Sequence, residues 1–236
     1  MNFKERISFI THSCASIGVV ETFKALARYA LRAKIDDSDY DERNSTDTAN
    51  RISSEELEIS DSTAQSHATG YRTASERFIR YLISQLGINY REYDFVDIGC
   101  GKGRVLLIAS SFPFRSICGI ELSRPAFEIA EKNIQTYRCA DQKCFNIHVR
   151  NVDARWFDPN IENTVYYFFE PFDEFILGTV LTKISSKLRG QGKTIYVVCI
   201  WSDLTSALKL FEKLGFRAIR TQKMVISSLN YAIFSF

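Results

Sequence analysis

The sequence predicts an α/β protein with a doubly wound, mostly parallel seven-stranded sheet, a C-terminal antiparallel hairpin and an N-terminal helical extension. From residue 73 onwards, short apolar runs alternate with segments whose apolar residues recur at helical spacing. This alternation is typical of a parallel sheet with crossover helices. The last two β-rich runs follow one another with no helix between them, which indicates an antiparallel pair.

Each element follows from its own run of residues. The first helix of this part is predicted to begin at Thr73-Ala-Ser-Glu76, which has capping-box spacing, and to stop at Gly87. Parallel strands are predicted at 94–98, 116–121, 145–150, 164–169 and 194–200, and the following helices at 102–111, 123–136, 173–188 and 202–214. The hairpin strands are predicted at 216–225 and 229–236, on the sheet edge, with a Ser-Ser-Leu-Asn turn between them.

The N-terminal part differs in charge from the rest. Residues 1–34 hold six Lys/Arg and two Asp/Glu, whereas residues 35–61 hold two Arg and ten Asp/Glu. These segments carry +4 and −8, and the whole chain carries +2, which leaves +6 on the remaining 175 residues. The compact part is therefore mildly basic and its linker acidic.

The N-terminal part is also predicted to be organised differently. Apolar residues at helical spacing predict an amphipathic helix over 15–34, whose basic face is solvated or, alternatively, contacts an acidic membrane surface or an acidic substrate. The polar composition of 35–66 predicts a mobile or loosely packed connection. We expect an N-terminal helix and acidic linker over 1–66 and a folded domain over 67–236.

Composition narrows the functional class. The net charge is too small to indicate nucleic acid or membrane, and no basic-aromatic stripe is present. The six cysteines form no CxxC pair, so no metal site is predicted, and several lie in apolar runs, as in reduced cytoplasmic proteins. No run reaches the roughly 18 apolar residues of a transmembrane segment, and polar residues interrupt any signal-peptide core. We expect a soluble, cytoplasmic protein.

The strongest functional signal is the sequence VDIGCGKGR at residues 96–104, which follows a predicted strand and opens a helix. Gly99 and Gly101 permit a tight turn and a close backbone approach to a ligand, and Gly103 permits close packing of the helix start on the strand. Asp97, at the strand end, can accept a hydrogen bond from a ligand ammonium group. A dinucleotide fingerprint would place its third glycine at 104, where this sequence has an arginine.

This glycine pattern, with an acid two residues upstream, resembles motif I of the class I (seven-strand) S-adenosylmethionine methyltransferases. The resemblance covers roughly residues 67–236 and is to a poorly characterised bacterial branch of the family. Seven-strand protein-lysine methyltransferases offer a characterised analogy. From motif I, the resemblance implies S-adenosylmethionine contacts at Asp97, Gly99, Cys100, Gly101 and Gly103.

Two further acids follow predicted strands. Glu121 ends the second strand, beside Leu122, at the spacing where a carboxylate chelates ribose hydroxyls. Asp153 follows the third strand, and the resemblance implies that it accepts from the adenine amino group while the amide of Ala154 meets the ring. Without motif I, a helix cap and an Asx turn would be the simpler interpretations.

The fourth predicted strand ends in VYYFFEPF at residues 165–172, the position of motif IV, which borders the transferring methyl group in the family. Amino-group methyltransferases often have Asn or Asp before the proline, whereas this sequence has Glu170. Glu170 is a candidate general base or a carboxylate that docks a cationic acceptor. Phe172 and Phe169 are candidates for the pocket wall or for the core.

The segment GYRTAS at residues 70–75 precedes the first predicted helix of the domain. It resembles the segment that closes over the methionine end of the cofactor in this branch of the family. Tyr71 and Arg72 are therefore candidates for contacting the cofactor carboxylate, and a plain helix entry is the alternative.

Together the motifs predict an S-adenosylmethionine-dependent methyltransferase with an unidentified acceptor, protein or small molecule. A protein lysine, a small amine or hydroxyl compound and RNA stay open, with nucleic acid only weakly supported. One alternative is an NAD-dependent oxidoreductase, against which the early third glycine and the terminal hairpin argue. The other is a non-catalytic S-adenosylmethionine-binding module in which motif IV has drifted.

Overall fold

The structure is a computed structural model that describes residues 37, 39–53, 55–59, 61–159, 162–223 and 230–236. The helix predicted over 15–34 lies outside these residues, as do the first three residues of the predicted hairpin turn. No helix among the described residues is long and apolar enough to cross a membrane.

The strands of the sheet are β1 (Asp94–Ile98), β2 (Ser116–Glu121), β3 (Ile147–Asn151), β4 (Thr164–Phe169), β5 (Ile195–Trp201), β6 (Arg217–Lys223) and β7 (Asn230–Ser235). Within the described residues they form one seven-stranded sheet in the order β3-β2-β1-β4-β5-β7-β6. Strands β1 to β5 are parallel, and β7 pairs antiparallel with both β5 and β6. The predicted fold class is therefore confirmed.

The α-helices of the described residues are α1 (Tyr40–Asn44), α2 (Ser62–His67), α3 (Glu76–Ser84), α4 (Arg104–Ala109), α5 (Arg124–Thr136), α6 (Glu174–Leu188) and α7 (Leu204–Lys213). Buried residues of α6 and α7 pack with the sheet in one apolar cluster, and those of α3 and α4 pack with it in a second. Strand residues alternate between the two clusters, because successive side chains of a strand point to opposite faces. The sheet is thus covered on both faces, as its apolar strands require.

Three element boundaries differ from the predictions for identifiable reasons. Helix α3 is capped by Ser75, whose hydroxyl accepts from the amide of Phe78 at 3.3 Å, and not by Thr73. Helix α4 begins after Gly103, because the φ of +84° at that glycine is not helical. Strand β3 begins at Ile147, which is the residue that pairs with Ile117 of β2.

The predicted terminal pair of strands is antiparallel, and its arrangement places the last strand inside the sheet. Strand β7 lies between β5 and β6, so β6 forms the edge. The ring of Phe234 in β7 stacks on Phe211 of α7 with centroids 3.8 Å apart. This stack fixes the final strand against the helix that follows β5.

Part of the segment predicted to be loosely packed is ordered against the domain. Tyr40 is 1% exposed and Thr48 is fully buried. The carboxylate of Asp41 accepts hydrogen bonds from the amide and hydroxyl of Thr48 and from the amide of Ala49. The prediction over 35–66 is therefore wrong for residues 39–53, because their polar side chains bond to one another and to the domain. The division at residue 66 stays a prediction.

Candidate functional site

A cavity lies where β1, β2 and β4 end, at the point where the order of strands reverses about β1. Ligands of open α/β sheets bind at this kind of switch point. The glycine loop after β1, the ends of β2 and β4, the turn after β3 and the segment before α3 form its walls. Twelve of the predicted site residues line it: Tyr71, Arg72, Asp97, Gly99, Cys100, Gly101, Glu121, Leu122, Asp153, Ala154, Phe169 and Phe172.

Two predicted residues lie beside the cavity without lining it. Gly103 packs against α5, and a Cβ there would lie 3.3 Å from the Cβ of Ala130. Its role is the close approach of the loop to this helix. Glu170 stands between two lining residues, Phe169 and Pro171.

The glycine loop is shaped by close contacts with two other segments. Gly99 and Gly101 have φ values of 79° and 52°, which disfavour any residue with a Cβ. A Cβ at Gly99 would overlap the ring of Pro171, and a Cβ at Gly101 would overlap the ring of Tyr71. These glycines therefore allow the loop after β4 and the segment before α3 to close on the loop after β1.

The loop is also tied to the end of β2 through a buried carboxylate. Glu121 accepts the amide of Gly101 on one oxygen and the amide of Ser123 on the other, both at 2.7 Å. Burial raises the pKa of Glu121, although these amide hydrogen bonds oppose the rise. Burial and the nearby charge of Glu121 raise the pKa of Asp97 well above its usual range. The two acids make this wall suited to a ligand rich in hydrogen-bond donors or positive charge.

Asp153 forms an ion pair that the sequence analysis did not identify. Its carboxylate accepts from the amide of Arg155 at 2.7 Å and from the guanidinium of Arg155 at 2.6 and 2.9 Å. The same guanidinium pairs with Asp61, which precedes α2. The spacing of Asp153 and Arg155 would have indicated the local contact, whereas nothing in the sequence points to Asp61.

Phe172 both lines the cavity and belongs to the apolar core. It is 8% exposed, lines the cavity and packs edge-to-face on Phe168 with centroids 6.3 Å apart. Its backbone forms an antiparallel bridge with Ala68, so the segment before α3 is fastened to the loop after β4. Its place in the structure favours shaping the pocket over a direct chemical role.

The carboxylate of Glu170 is held from two sides. The guanidinium of Arg72 donates to Oε2, and the amide of Ser202 donates to Oε1 at 3.2 Å, supported by the Ser202 hydroxyl. Glu170 has a φ of 42°, a left-handed conformation that is uncommon outside glycine. Arg72 also lies 5.7 Å above the ring of Phe169. Arg72 and Glu170, which were predicted separately as a cofactor contact and a catalytic residue, are thus brought together.

A sequence comparison finds a resemblance in the part of the chain that forms the cavity. A family model described as "Putative methyltransferase" matches residues 91–173, from just before β1 to just after β4. The matched residues resemble a family of putative methyltransferases, and the strand order is that of the class I methyltransferase fold. The matched part contains the glycine loop, Glu121, Asp153 and Glu170, and S-adenosylmethionine is the methyl donor of this family.

Solved structures share this fold at low sequence identity. A precorrin-6y C5,15-methyltransferase from Geobacter metallireducens is 15% identical, covers 72% of this chain and 94% of its own, and has a TM-score of 0.53. The methyltransferase domain of bacterial CtHen1-C is 18% identical, with 68% and 97% covered and a TM-score of 0.51. A ribosomal protein L11 methylase from Lactobacillus delbrueckii is 13% identical, with 70% and 79% covered and a TM-score of 0.50. No curated protein matches the sequence.

The residues of the cavity fit S-adenosylmethionine. The cofactor carries ribose hydroxyls, an ammonium group and a sulfonium, and the buried acids Asp97 and Glu121 are acceptors of the matching kind. The glycines at 99 and 101 line the cavity with their backbone, and Pro171 and Tyr71 pack against the side where a Cβ would lie. Apolar residues from three segments complete the wall: Leu57, Ile59, Ala68, Leu122 and Val152.

Proposed function

We propose that this methyltransferase methylates an amine nitrogen and that Glu170 is the carboxylate that docks the acceptor. The observation that carries the proposal is the position of Glu170 at the end of β4, between Phe169 and Pro171 of the cofactor cavity. When bound, the cofactor supplies an activated methyl group on its sulfonium together with the leaving group. The protein then has to bind the acceptor, orient its nitrogen and exclude water.

The surroundings of Glu170 fix the direction of its side chain. Its amide donates to the carbonyl of Ile200 at 3.0 Å, and its carbonyl accepts from the hydroxyl of Thr69 at 2.5 Å. These contacts hold a backbone conformation that costs roughly 1 kcal/mol or more in a residue with a Cβ. Backbone strain that is retained by such contacts is characteristic of functional positions.

The hydrogen bonds of the Glu170 carboxylate leave it able to dock an acceptor. Arg72 already occupies one site on Oε2, and the amide and hydroxyl of Ser202 occupy two sites on Oε1. A carboxylate offers about four lone-pair sites, so Glu170 can still accept an N–H of an amine or ammonium group. Arg72 and Ser202 therefore fix the direction of the carboxylate and leave room for one N–H of an acceptor.

Other acids around the same edge of the sheet favour a cationic acceptor. Asp173 and Glu174 lie at the start of α6, and Asp203 caps the start of α7, all exposed. Exposed acids at this edge of the sheet raise the local concentration of cations. A protein lysine or a small polyamine fits this edge of the sheet better than nucleic acid does.

The five cysteines among the described residues are free. This supports the proposal that the enzyme works in the reducing cytoplasm.

The decisive experiment is methyl transfer from S-adenosylmethionine labelled in its methyl group. Four acceptors are offered to the purified chain: a lysine-rich peptide, spermidine, a catechol and an RNA oligonucleotide. We expect label in the peptide or in spermidine. Label in the catechol or RNA alone would overturn the amine proposal. Tight cofactor binding without transfer to any acceptor would favour the non-catalytic module, and binding of NAD in a parallel titration would favour the oxidoreductase.

The role of Glu170 has its own test with a matched control. Glu170→Gln removes the charge and keeps the shape, so we expect kcat/KM for the amine to fall about 10- to 100-fold, the loss of one charged hydrogen bond of roughly 1.5–3 kcal/mol. Cofactor affinity should stay within about twofold, because only the acceptor contact is weakened. Glu162→Gln is the control, since Glu162 precedes β4 at its opposite end. Equal rates for both variants would remove Glu170 from acceptor binding.

A further inference from the structure

The segment between Ile52 and Tyr71 is a loop whose two ends meet. The amide of Ile52 donates to the carbonyl of Tyr71 at 3.4 Å, and the two residues form an antiparallel bridge. The arm that leads to Tyr71 is also joined through backbone hydrogen bonds to the loop after β4. Residues 56–59 and 61–66, named the cover segment, lie between these attachments.

The cover segment has an apolar face that packs apart from the main core. Leu57, Ile59 and Ala64 are buried and form a small cluster with Leu122, which follows β2. This cluster is separate from the two larger clusters on the faces of the sheet. A segment held by so few apolar contacts opens locally at a lower free-energy cost than unfolding of the whole domain. The cover segment can therefore open while the sheet stays folded.

The buried residues of the cover segment also form part of the cavity wall. They share it with Leu122 after β2 and with Val152 and Ala154 after β3. Glu121, at the end of β2, follows Gly101 by 20 residues, which is the spacing at which an acid binds ribose hydroxyls. Beyond the ribose, these aliphatic side chains offer a planar base the apolar surfaces that line most ligand pockets.

An ion pair joins the cover segment to the loop after β3. Arg155 lines the cavity, and its Nη2 donates to Asp153 at 2.6 Å and to Asp61 of the cover segment at 2.5 Å. Asp153 is held more firmly, because it also accepts from Nε and from the amide of Arg155. The side chain of Asp61 is about half exposed, and an ion pair with an exposed partner is weak. Opening of the cover segment therefore separates Arg155 from Asp61 and leaves it on Asp153.

We propose that the cover segment is a lid over the nucleoside part of S-adenosylmethionine and that Arg155 is the latch that holds it shut. The cofactor base completes the apolar cluster, so its contacts with Leu57 and Ile59 exist only in the closed state. A ligand that binds one of two states more tightly shifts the equilibrium towards that state. Exchange of S-adenosylhomocysteine for S-adenosylmethionine between turnovers thus requires the pair of Arg155 and Asp61 to break.

Hydrogen exchange of the full chain, measured by mass spectrometry, tests the lid directly. Samples without ligand, with saturating S-adenosylhomocysteine and with saturating 5′-methylthioadenosine are compared, since the second compound keeps the nucleoside and lacks the amino acid part. We expect both ligands to slow amide exchange in the lid at least about tenfold, because both stabilise the closed state. Exchange that S-adenosylhomocysteine leaves unchanged, or that it alone slows, overturns the proposal.

The latch has its own test in the rate at which S-adenosylhomocysteine dissociates, measured by stopped-flow displacement. Asp61→Asn removes the ion pair, so dissociation should become about two- to fivefold faster, as for the loss of a partly exposed pair. The difference between variant and wild type should shrink at high salt, which screens the pair. Glu58→Gln is the matched control, because Glu58 is an exposed acid of the same segment. A wild-type rate in Asp61→Asn, or an equal change in both variants, removes Arg155 as the latch.

The apolar cluster is tested by the affinities of the same two ligands. Ile59→Ser should weaken S-adenosylhomocysteine and 5′-methylthioadenosine by a similar factor of about ten, because the lost contact is to their shared nucleoside. A loss confined to S-adenosylhomocysteine would place the lid over the amino acid part and contradict the proposal. No acceptor is present in these measurements, so failure of the amine proposal leaves their outcome unchanged.

Discussion

The ring of Tyr71 lies directly against Gly101, so that a Cβ on this glycine would overlap Cδ2 and Cε2 of the tyrosine. The hydroxyl of Tyr71 donates to the carbonyl of Thr48 at 2.8 Å, which ties the ring to the N-terminal segment. The glycine loop and the segment before α3 are therefore shaped to one another. A substitution in either segment should therefore weaken cofactor binding.

Gly101→Ala should weaken binding of S-adenosylmethionine at least about tenfold, because the Tyr71 ring must move and the φ of 52° disfavours alanine. Calorimetric titration measures the loss. Gly87→Ala is the matched control: Gly87 has a φ of 61°, and a Cβ there would meet nothing within 4 Å. The control should lose roughly 1 kcal/mol of stability and no affinity. Wild-type affinity in Gly101→Ala would contradict the packing described.

Glu121→Gln should destabilise the protein and weaken cofactor binding. Both carboxylate oxygens accept backbone amides, from Gly101 and Ser123, and a glutamine would turn an NH₂ group towards one of them. Leaving a buried amide unsatisfied costs about 1–3 kcal/mol. Urea unfolding should show this loss without ligand, and titration should show weaker binding. A variant as stable as wild type would mean that these amides find other acceptors.

The stability of the unliganded enzyme should carry a pH dependence from Asp97. Burial, followed by the charge of Glu121, raises the pKa of Asp97 well above its usual range. A carboxyl group with a raised pKa binds its proton more tightly in the folded state than in the unfolded chain. Its contribution to stability is therefore lost as the pH rises above the unfolded value of about 3.9 towards the raised folded value.

Asp97→Asn removes this titration while keeping a similar shape. The variant should gain stability relative to wild type as the pH is raised from about 4.5 to about 8, in the window set by the raised pKa. Urea unfolding of both proteins at three pH values gives the difference. A difference that does not change with pH would show that Asp97 does not titrate in this range.

Replacing Asp47 should destabilise the protein more than replacing Lys102, the buried lysine with which it forms an ion pair. Its ammonium lies 3.0 Å from the carboxylate of Asp47, which is about half exposed, while the Lys102 side chain is 5% exposed. Asp47→Ala leaves the buried charge without this partner and should cost about 1–3 kcal/mol. Lys102→Met removes the charge itself and should cost less.

The double variant completes this test by urea unfolding. Asp47→Ala combined with Lys102→Met should be about as stable as Lys102→Met alone, because no charge is left to satisfy. Additive losses would show that the ion pair does not link the N-terminal segment to the glycine loop.

Much of the fold was predictable because its signals are local. Strands β1, β2 and β4 were predicted at their observed boundaries, since each is a short apolar run followed by polar or glycine residues. The glycine loop and the acids at strand ends were located because parallel strands bring their carboxyl ends to one edge. The position of β7 between β5 and β6 was not predictable, since sequence adjacency does not determine which hairpin strand faces the sheet.

The parts of the site that were missed depend on contacts between residues far apart in sequence. Asp61 forms an ion pair with Arg155, and Tyr40 stacks on Arg104. No local sequence pattern indicates either contact. The polar composition of residues 35–66 predicted a mobile or loosely packed connection, yet Asp41 closes a compact hydrogen-bonded turn within it. Composition gives the number of polar groups but does not show whether they form hydrogen bonds with one another.

The place of β7 between β5 and β6 also sets an order of assembly during synthesis. Strand β6 leaves the ribosome first but pairs with β7 and not with β5, so it has no position in the sheet until residues 230–235 have been made. Until then β5 presents an open row of backbone hydrogen-bonding groups, which is a template for pairing with other chains. A ribosome that stalls between these strands therefore holds a nascent chain with this edge unprotected, and chaperones that bind extended segments are expected to act at that stage.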